Sequence, residues 1–347
     1  MISRQMLIPV FMKKIVLGII LLCLSLTCAG QIGGDTPHLI ADPADKRFVG
    51  VDEDWTSPTL SKSHLRPVQP LKFVSEHDAY TTELLRVQWR WGDPIDLYVI
   101  RPKGVKKPPV VLYLYGYPHD TAVFKRQDFQ ADATRDGFAA VGFVTALTGH
   151  RYHDRPMKKW FVSELQECLA VSAHDVQMVL DYLASRGDLD MERVGVFSQL
   201  SGASVGILAS AADPRIKVLD ALDPWGDWPT WMETSPFVPK DERADYVKPE
   251  FLSKVALLEP VDWLPRIQAK EFRLQQRSYE IETPAASKEK LQKAVPRGAT
   301  VEFYKSPKEF ANVVGEDGGK SVDWLKGELR SLPQAATDST VAVKKSN

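Results

Sequence analysis

The chain has 347 residues, 44% of them hydrophobic and 26% charged, with a formal net charge of −1; this is enough apolar length to bury a core, in the proportions of an ordinary globular protein. The near-zero balance, without any block of like charges, gives no sign of a nucleic-acid partner or an anionic membrane surface, and neither is expected. Of three cysteines only Cys168 lies in the body of the chain. The fold must therefore stand on its core rather than on an internal disulfide.

Taken in chain order, Lys13-Lys14 precede an apolar run, Ile15 to Leu26, and then the small residues Thr27-Cys28-Ala29-Gly30. That order predicts a secretory signal over residues 1–30 and an exported product, periplasmic or secreted. The run is shorter than the ~20 apolar residues of a spanning helix, so no membrane span is expected. Cys28 is a candidate lipid anchor, which would make the product a lipoprotein, although Thr27 is a poor residue before a lipidated cysteine. Residues 31–70 are polar, rich in Pro, Asp and Ser, and read as an extended arm lying on the domain. Leu84 to Trp89 and Ile95 to Ile100 flank Gly92-Asp93-Pro94, a hairpin signature. Pro109 to Tyr115, Phe138 to Val144 and Arg193 to Phe197 are short apolar runs suited to strands buried on both faces. Leu165, Leu169, Val176, Val179, Leu180 and Leu183 recur at helical spacing, and Cys168 within that pattern reads as a small buried residue. Ser204 to Ala211 predicts a small-residue helix, Ile216 to Leu222, Phe272 to Gln276 and Thr300 to Tyr304 further strands, and Ser321 to Leu332 a closing amphipathic helix. Strands alternating with helices imply an α/β domain over 71–332 with a mostly parallel central sheet flanked by helices.

Between about 224 and 262 the rhythm breaks, which predicts a short cap insertion. Trp225, Trp228 and Trp231 fall three apart there; they either pack the cap onto the body or line a pocket. Residues 333–347 read as a flexible tail. The loop Thr148 to Pro156 holds His150, Arg151, His153, Asp154 and Arg155 just after a central strand, where ligands collect in such sheets. It either forms a hydrogen-bonded structural loop or supplies a base or an anion-binding arginine. A lone His-x-x-His in a loop is a weak metal signal, so neither a metal nor a cofactor is expected.

The stretch Arg193-Val-Gly-Val-Phe-Ser198-Gln199-Leu200-Ser201-Gly202-Ala203-Ser204-Val205-Gly206 is a strand, a tight turn and a helix of small residues. With the strand and loop Pro109 to Asp120 and the late Glu282-Thr283-Pro284 segment, it resembles the α/β-hydrolase superfamily (serine esterase or peptidase type) across roughly 71–332. The resemblance implies an α/β-hydrolase fold, a nucleophile on the strained turn, an oxyanion hole at its back, an acid after the penultimate strand and a histidine after the last one.

Three registers compete for the nucleophile. Ser204 sits in a formal G-x-S-x-G but one turn into the helix. The superfamily's usual register falls on Leu200, which cannot attack anything. A turn one residue longer places Ser201 there, the preferred candidate, whose competing reading is a helix cap. Backbone N–H groups near Gly116-Tyr117 and Gly202 are the oxyanion candidates, with His119 in the same loop. Glu280 is the first candidate for the acid and Glu282 the second; either could instead be a carboxylate favoured at a helix N-terminus. The degraded element is the histidine: none occurs beyond His174, itself read as structural, and Lys308 or Glu309 takes its place. The two resulting readings are a serine hydrolase acting on a small ester or amide, with His150, His153 or His119 as relocated base, and an inactive pseudo-hydrolase that binds an ester, amide or anionic ligand.

Overall fold

The computed structural model describes residues 53–60, 70–90, 93–117, 119, 121–148, 161–315 and 319–333. The segment expected to be a signal, with Cys28, most of the expected arm, the loop bearing His150, Arg151 and His153, and the expected tail lie outside the described residues.

A nine-stranded sheet runs β1-β2-β3-β5-β4-β6-β7-β8-β9. Its first part is an antiparallel meander: β1 (Leu71–Glu76), β2 (Tyr80–Val87) and β3 (Ile95–Pro102). Val87 pairs with Ile95 across the expected hairpin. β3 joins β5 (Ala139–Phe143) antiparallel; from there β4 (Pro109–Leu114), β6 (Asp190–Gln199), β7 (Ile216–Leu222), β8 (Glu271–Arg277) and β9 (Thr300–Tyr304) are all parallel. Strands β4 and β5 are buried at every residue, as continuous apolar runs require when helices cover both faces.

On one face α1 (Gln127–Thr134) and, at the end of the chain, α10 (Asp323–Ser331) close over Val111, Tyr113, Phe197 and Val218. On the other, α2 (Leu165–Arg186) and α3 (Ser201–Ala212) pack over Val110, Leu112, Leu114 and Val196. The alternation of β4 residues between these clusters follows the two-residue period of a strand. Cys168 is buried in α2 with its thiol free. After β7 come four short helices, α4 (Trp228–Thr234), α5 (Arg243–Tyr246), α6 (Pro249–Val255) and α7 (Pro260–Trp263), before the chain re-enters as β8; α8 (Ala285–Ala294) and α9 (Pro307–Val314) follow β8 and β9. Strand β1 carries Phe73 and Val74 half exposed at the sheet edge, which is why its apolar pattern is not legible as a buried strand.

The described piece of the arm is held down by charge. Glu53 accepts from Arg90 Nε and Nη2 at 2.5 Å each and lies 2.6 Å from His174 Nδ1. His174 Nε2 donates to Ser57 O at 2.9 Å, and Gln177 donates to Pro58 O at 2.7 Å. Asp175 completes the cluster by accepting from Trp89 Nε1 at 2.7 Å and from Arg90. His174 is thus structural, the α2 end of an anchor. Burial opposes ionisation of Glu53, but Arg90 and His174 outweigh it and bring the carboxyl down to about 2. A depressed carboxyl stabilises the fold fully above its unfolded value and loses that contribution as pH falls through its folded one. Glu53→Gln should therefore lower the unfolding free energy at pH 7 by about 3 kcal/mol in urea titrations. The gap between wild type and variant should narrow between about pH 4.5 and pH 2.

Candidate functional site

The turn between β6 and α3 has no extra residue. Helix α3 begins at Ser201, and Leu200 before it takes φ 53° and ψ −126°, a conformation that costs a side-chain-bearing residue about 1–3 kcal/mol. The backbone of Leu200 is tied down on both sides: its N–H donates to Leu222 O at 2.9 Å, and its carbonyl accepts from Ala203 N at 2.9 Å. Small neighbours make the turn feasible. A Cβ on Gly116 would lie 2.6 Å from Gln199 O and 2.7 Å from Ser201 N, and one on Gly202 would run into the Leu114 carbonyl. The strained apex thus belongs to Leu200, 7% exposed. The longer turn that would lift Ser201 to the apex is not formed.

Ser201 is fully buried, and its Oγ accepts the N–H of Tyr117 at 2.9 Å. That N–H belongs to the loop in which the resemblance expects oxyanion donors, and here it is occupied by the serine hydroxyl. Ser204 is also fully buried and donates to Trp225 O at 2.8 Å. It ties the helix to the segment after β7.

Glu280 and Glu282 follow β8 and have separate tasks. The Glu280 carboxylate accepts from Glu282 N and, at 3.3 Å, from Thr283 N, and pairs with Lys288 Nζ at 3.4 Å. It holds the turn that leads into α8. Glu282 Oε2 accepts from Trp225 Nε1 at 3.1 Å. Burial first, and then the Glu280 carboxylate, push the Glu282 carboxyl up to about 7 against the pull of that indole. After β9 the chain reads Lys305-Ser306-Pro307, and Ser306 caps α9 by accepting from Glu309 N at 3.2 Å. Among the described histidines, His77 stacks on Tyr80, His119 is exposed with its ring 6.5 Å from that of Tyr115, and His174 anchors the arm. None is hydrogen-bonded to Ser201, and no hydrogen bond joins Ser201 to Glu280 among the described residues.

The tryptophans form an aromatic knot: Trp225, Trp228 and Trp231 are at most 1% exposed, with Trp225 and Trp231 centroids 4.7 Å apart. Trp228 donates to Leu258 O at 3.3 Å. Its role is packing within the segment after β7. Phe237, which sequence reasoning passes over, bridges this knot to the loop after β4, 5.9 Å from Trp225 and 5.7 Å from Tyr117.

Asp223 was also missed. It ends β7 at φ 49°, is fully buried, and accepts from Arg277 N at 2.8 Å and from its guanidinium; burial pushes its carboxyl up against Arg277. An acid directly after a central strand was the available signal. No described cluster of His, Cys, Asp and Glu could hold a metal.

This sheet and elbow are those of an α/β-hydrolase fold. Solved structures of that fold include acetyl xylan esterase 1 from Thermoanaerobacterium sp. JW/SL YS485 (14% identity, TM-score 0.62) and the acetyl xylan esterase from Paenibacillus sp. R4 (15%, 0.59), each aligned over 76% of this chain and 89% of its own. The S-formylglutathione hydrolase from Agrobacterium tumefaciens aligns over 76% of this chain and all of its own (14%, 0.54). No protein-family model and no curated protein sequence matches the chain. No described helix is long and apolar enough to cross a membrane.

A carboxyl raised above its unfolded value contributes stability that is complete below that value and is lost as pH rises through the folded one. The wild type should therefore lose stability between about pH 4.5 and 7, and Glu282→Gln should lose less. Tryptophan fluorescence should show a titration near pH 7 that shrinks in the variant by the share of Trp225 beside Glu282, leaving that of Glu259 beside Trp228.

Proposed function

We propose that the protein is an exported member of this fold that binds a small neutral ester or amide without turning it over. The observation that carries the reading is Leu200 at the strained apex with φ 53°. The apex is the one place on this scaffold where a nucleophile is both exposed and backed by oxyanion donors, and an isobutyl group offers no lone pair. Removing one member of a catalytic triad costs several orders of magnitude in rate; here the apex residue is aliphatic and the loop after β9 carries no histidine. Export rests on Lys13-Lys14 and the Ile15 to Leu26 run ahead of small residues.

The binding surface we assign is the cleft floor at Leu200, walled by Tyr117 and Phe237 and edged by Glu282. At this end of the sheet Asp223 is paired with Arg277 and Glu280 with Lys288, so these charges cancel locally and offer no attraction to an anionic ligand. A Glu282 carboxyl that titrates near neutrality can donate to a carbonyl when protonated. The competing reading, a hydrolase using Ser201, has in its favour the contact of Ser201 with the Tyr117 N–H. In that contact, however, the hydroxyl is an acceptor and fully buried.

The two readings separate in a turnover assay with 4-nitrophenyl acetate and an N-acetyl anilide. Wild type, Ser201→Ala and Ser204→Ala should give the same rate, within about twofold of a heat-unfolded control. A wild-type rate that drops by ~10²-fold or more in Ser201→Ala would establish the hydrolase instead.

A further inference from the structure

On the opposite face of β4 from the elbow we infer a second binding site, one for a neutral, polyhydroxylated molecule of single-ring size. A pocket of about 270 Å³ opens there between α1 and α10, lined by Tyr113, Tyr115, Arg126, Phe129 and Lys326 among others. It is smaller than the ~300–1,000 Å³ that holds a drug-sized ligand, which sets the scale at one small ring. The site is independent of the cleft at Leu200. Val110, Leu112 and Leu114 face the α2 and α3 side of the sheet, whereas Val111, Tyr113 and Tyr115 face the pocket side.

Two properties choose the ligand class. The first is charge. Arg126 pairs with Asp128, Asp132 with Arg135 at the pocket rim, and Lys326 with Asp136 at 3.1 Å while lying 5.7 Å over the Phe138 ring. The cations and carboxylates of the lining are balanced by one another or by immediate neighbours, so the pocket offers no net field to an ion. The second is the pair of phenols. Tyr113 is 3% exposed, and neither it nor Tyr115 has a hydrogen-bonded partner among the described residues. Burial pushes both phenols far above the usual tyrosine range, so each keeps its proton and acts as donor and acceptor.

Both hydroxyls are open to the pocket rather than sealed from solvent, so they are available, side by side, to donate to and accept from a guest with hydroxyls of its own. The rings supply the apolar part. Tyr113 stacks on Tyr115 at 6.2 Å and meets Phe129 edge-on at 5.4 Å, and the half-buried rings of Tyr115 and Phe129 provide the apolar surface for the C–H face of a saturated ring. Phenol hydroxyls, aromatic faces and locally cancelled charge together suit a monosaccharide or cyclitol.

The test is saturation-transfer NMR on the intact protein with glucose, xylose and myo-inositol as neutral probes, and acetate and inorganic phosphate as anions. At least one neutral probe should receive transfer. The double variant Tyr113→Phe with Tyr115→Phe keeps the rings and loses only the hydroxyls. It should weaken binding about tenfold or more, with its melting temperature no lower than that of wild type by more than a few degrees. Transfer to none of the neutral probes would overturn the site, as would transfer to the anions alone, or binding that the double variant retains undiminished. Because Ser201→Ala and Phe237→Ala leave this pocket untouched, binding should survive both; loss in either would place the ligand in the cleft at Leu200 instead.

Discussion

The close approach of two backbones at the C-terminal edge of the sheet governs the rest of the functional end. The loop after β4 presses on the turn between β6 and α3 so tightly that Gly116 and Gly202 have no room for a Cβ. Leu200 is held between them in a conformation that its side chain disfavours. Because the approach is backbone on backbone, no side-chain rearrangement relieves it. It decides which residue takes the strained apex: Leu200 does, 7% exposed, while Ser201 is drawn fully under the loop, where its hydroxyl satisfies the Tyr117 N–H. The same constraint that makes this turn a good place for a nucleophile denies that place to Ser201.

Electrostatics at this edge follow from burial more than from pairing. Leu200, Asp223 and Asp227 are the non-glycine residues with positive φ among those described, and all three end strands or begin helices here. Asp tolerates such backbones through short polar contacts: Asp223 is held by Arg277 and Asp227 by Lys290 at 2.7 Å. Glu259 accepts the N–H groups of Asp227 and Trp228 at 2.7 Å each, yet burial still pushes it up to about 7. The region after β7 is therefore a rigid, well-bonded frame around the aromatic knot. Only Phe237 and Tyr117 carry that frame out to the cleft.

Much of the fold was legible in the sequence. Continuous apolar runs located β4 and β5, and helical spacing located α2, because both patterns come directly from burial on known periods. The edge strand β1 escaped because two of its three apolar residues, Phe73 and Val74, face water, and α9 because its start signal, Ser306 followed by Pro307, sits in a polar stretch. At the site the motif was legible but not its register. The sequence alone could not say whether the apex lay three residues after Phe197, at Leu200, or four, at Ser201, since Ser201-Gly202-Ala203 suits either. That depends on a contact with Gly116, 84 residues before Leu200, which no local pattern encodes. Phe237 was missed for the same reason, its partners lying on other elements, whereas Asp223 lay in plain view at the end of β7.

The central claim, that Leu200 leaves the apex without a nucleophile, is tested most directly by intact mass after exposure of the folded protein to a fluorophosphonate. Wild type should keep an unchanged mass while a known serine hydrolase in the same tube is fully labelled. A single adduct, mapped by peptide sequencing to Ser201 and lost in Ser201→Ala, would contradict it. That result would mean that the hydroxyl now resting on the Tyr117 N–H swings out to react.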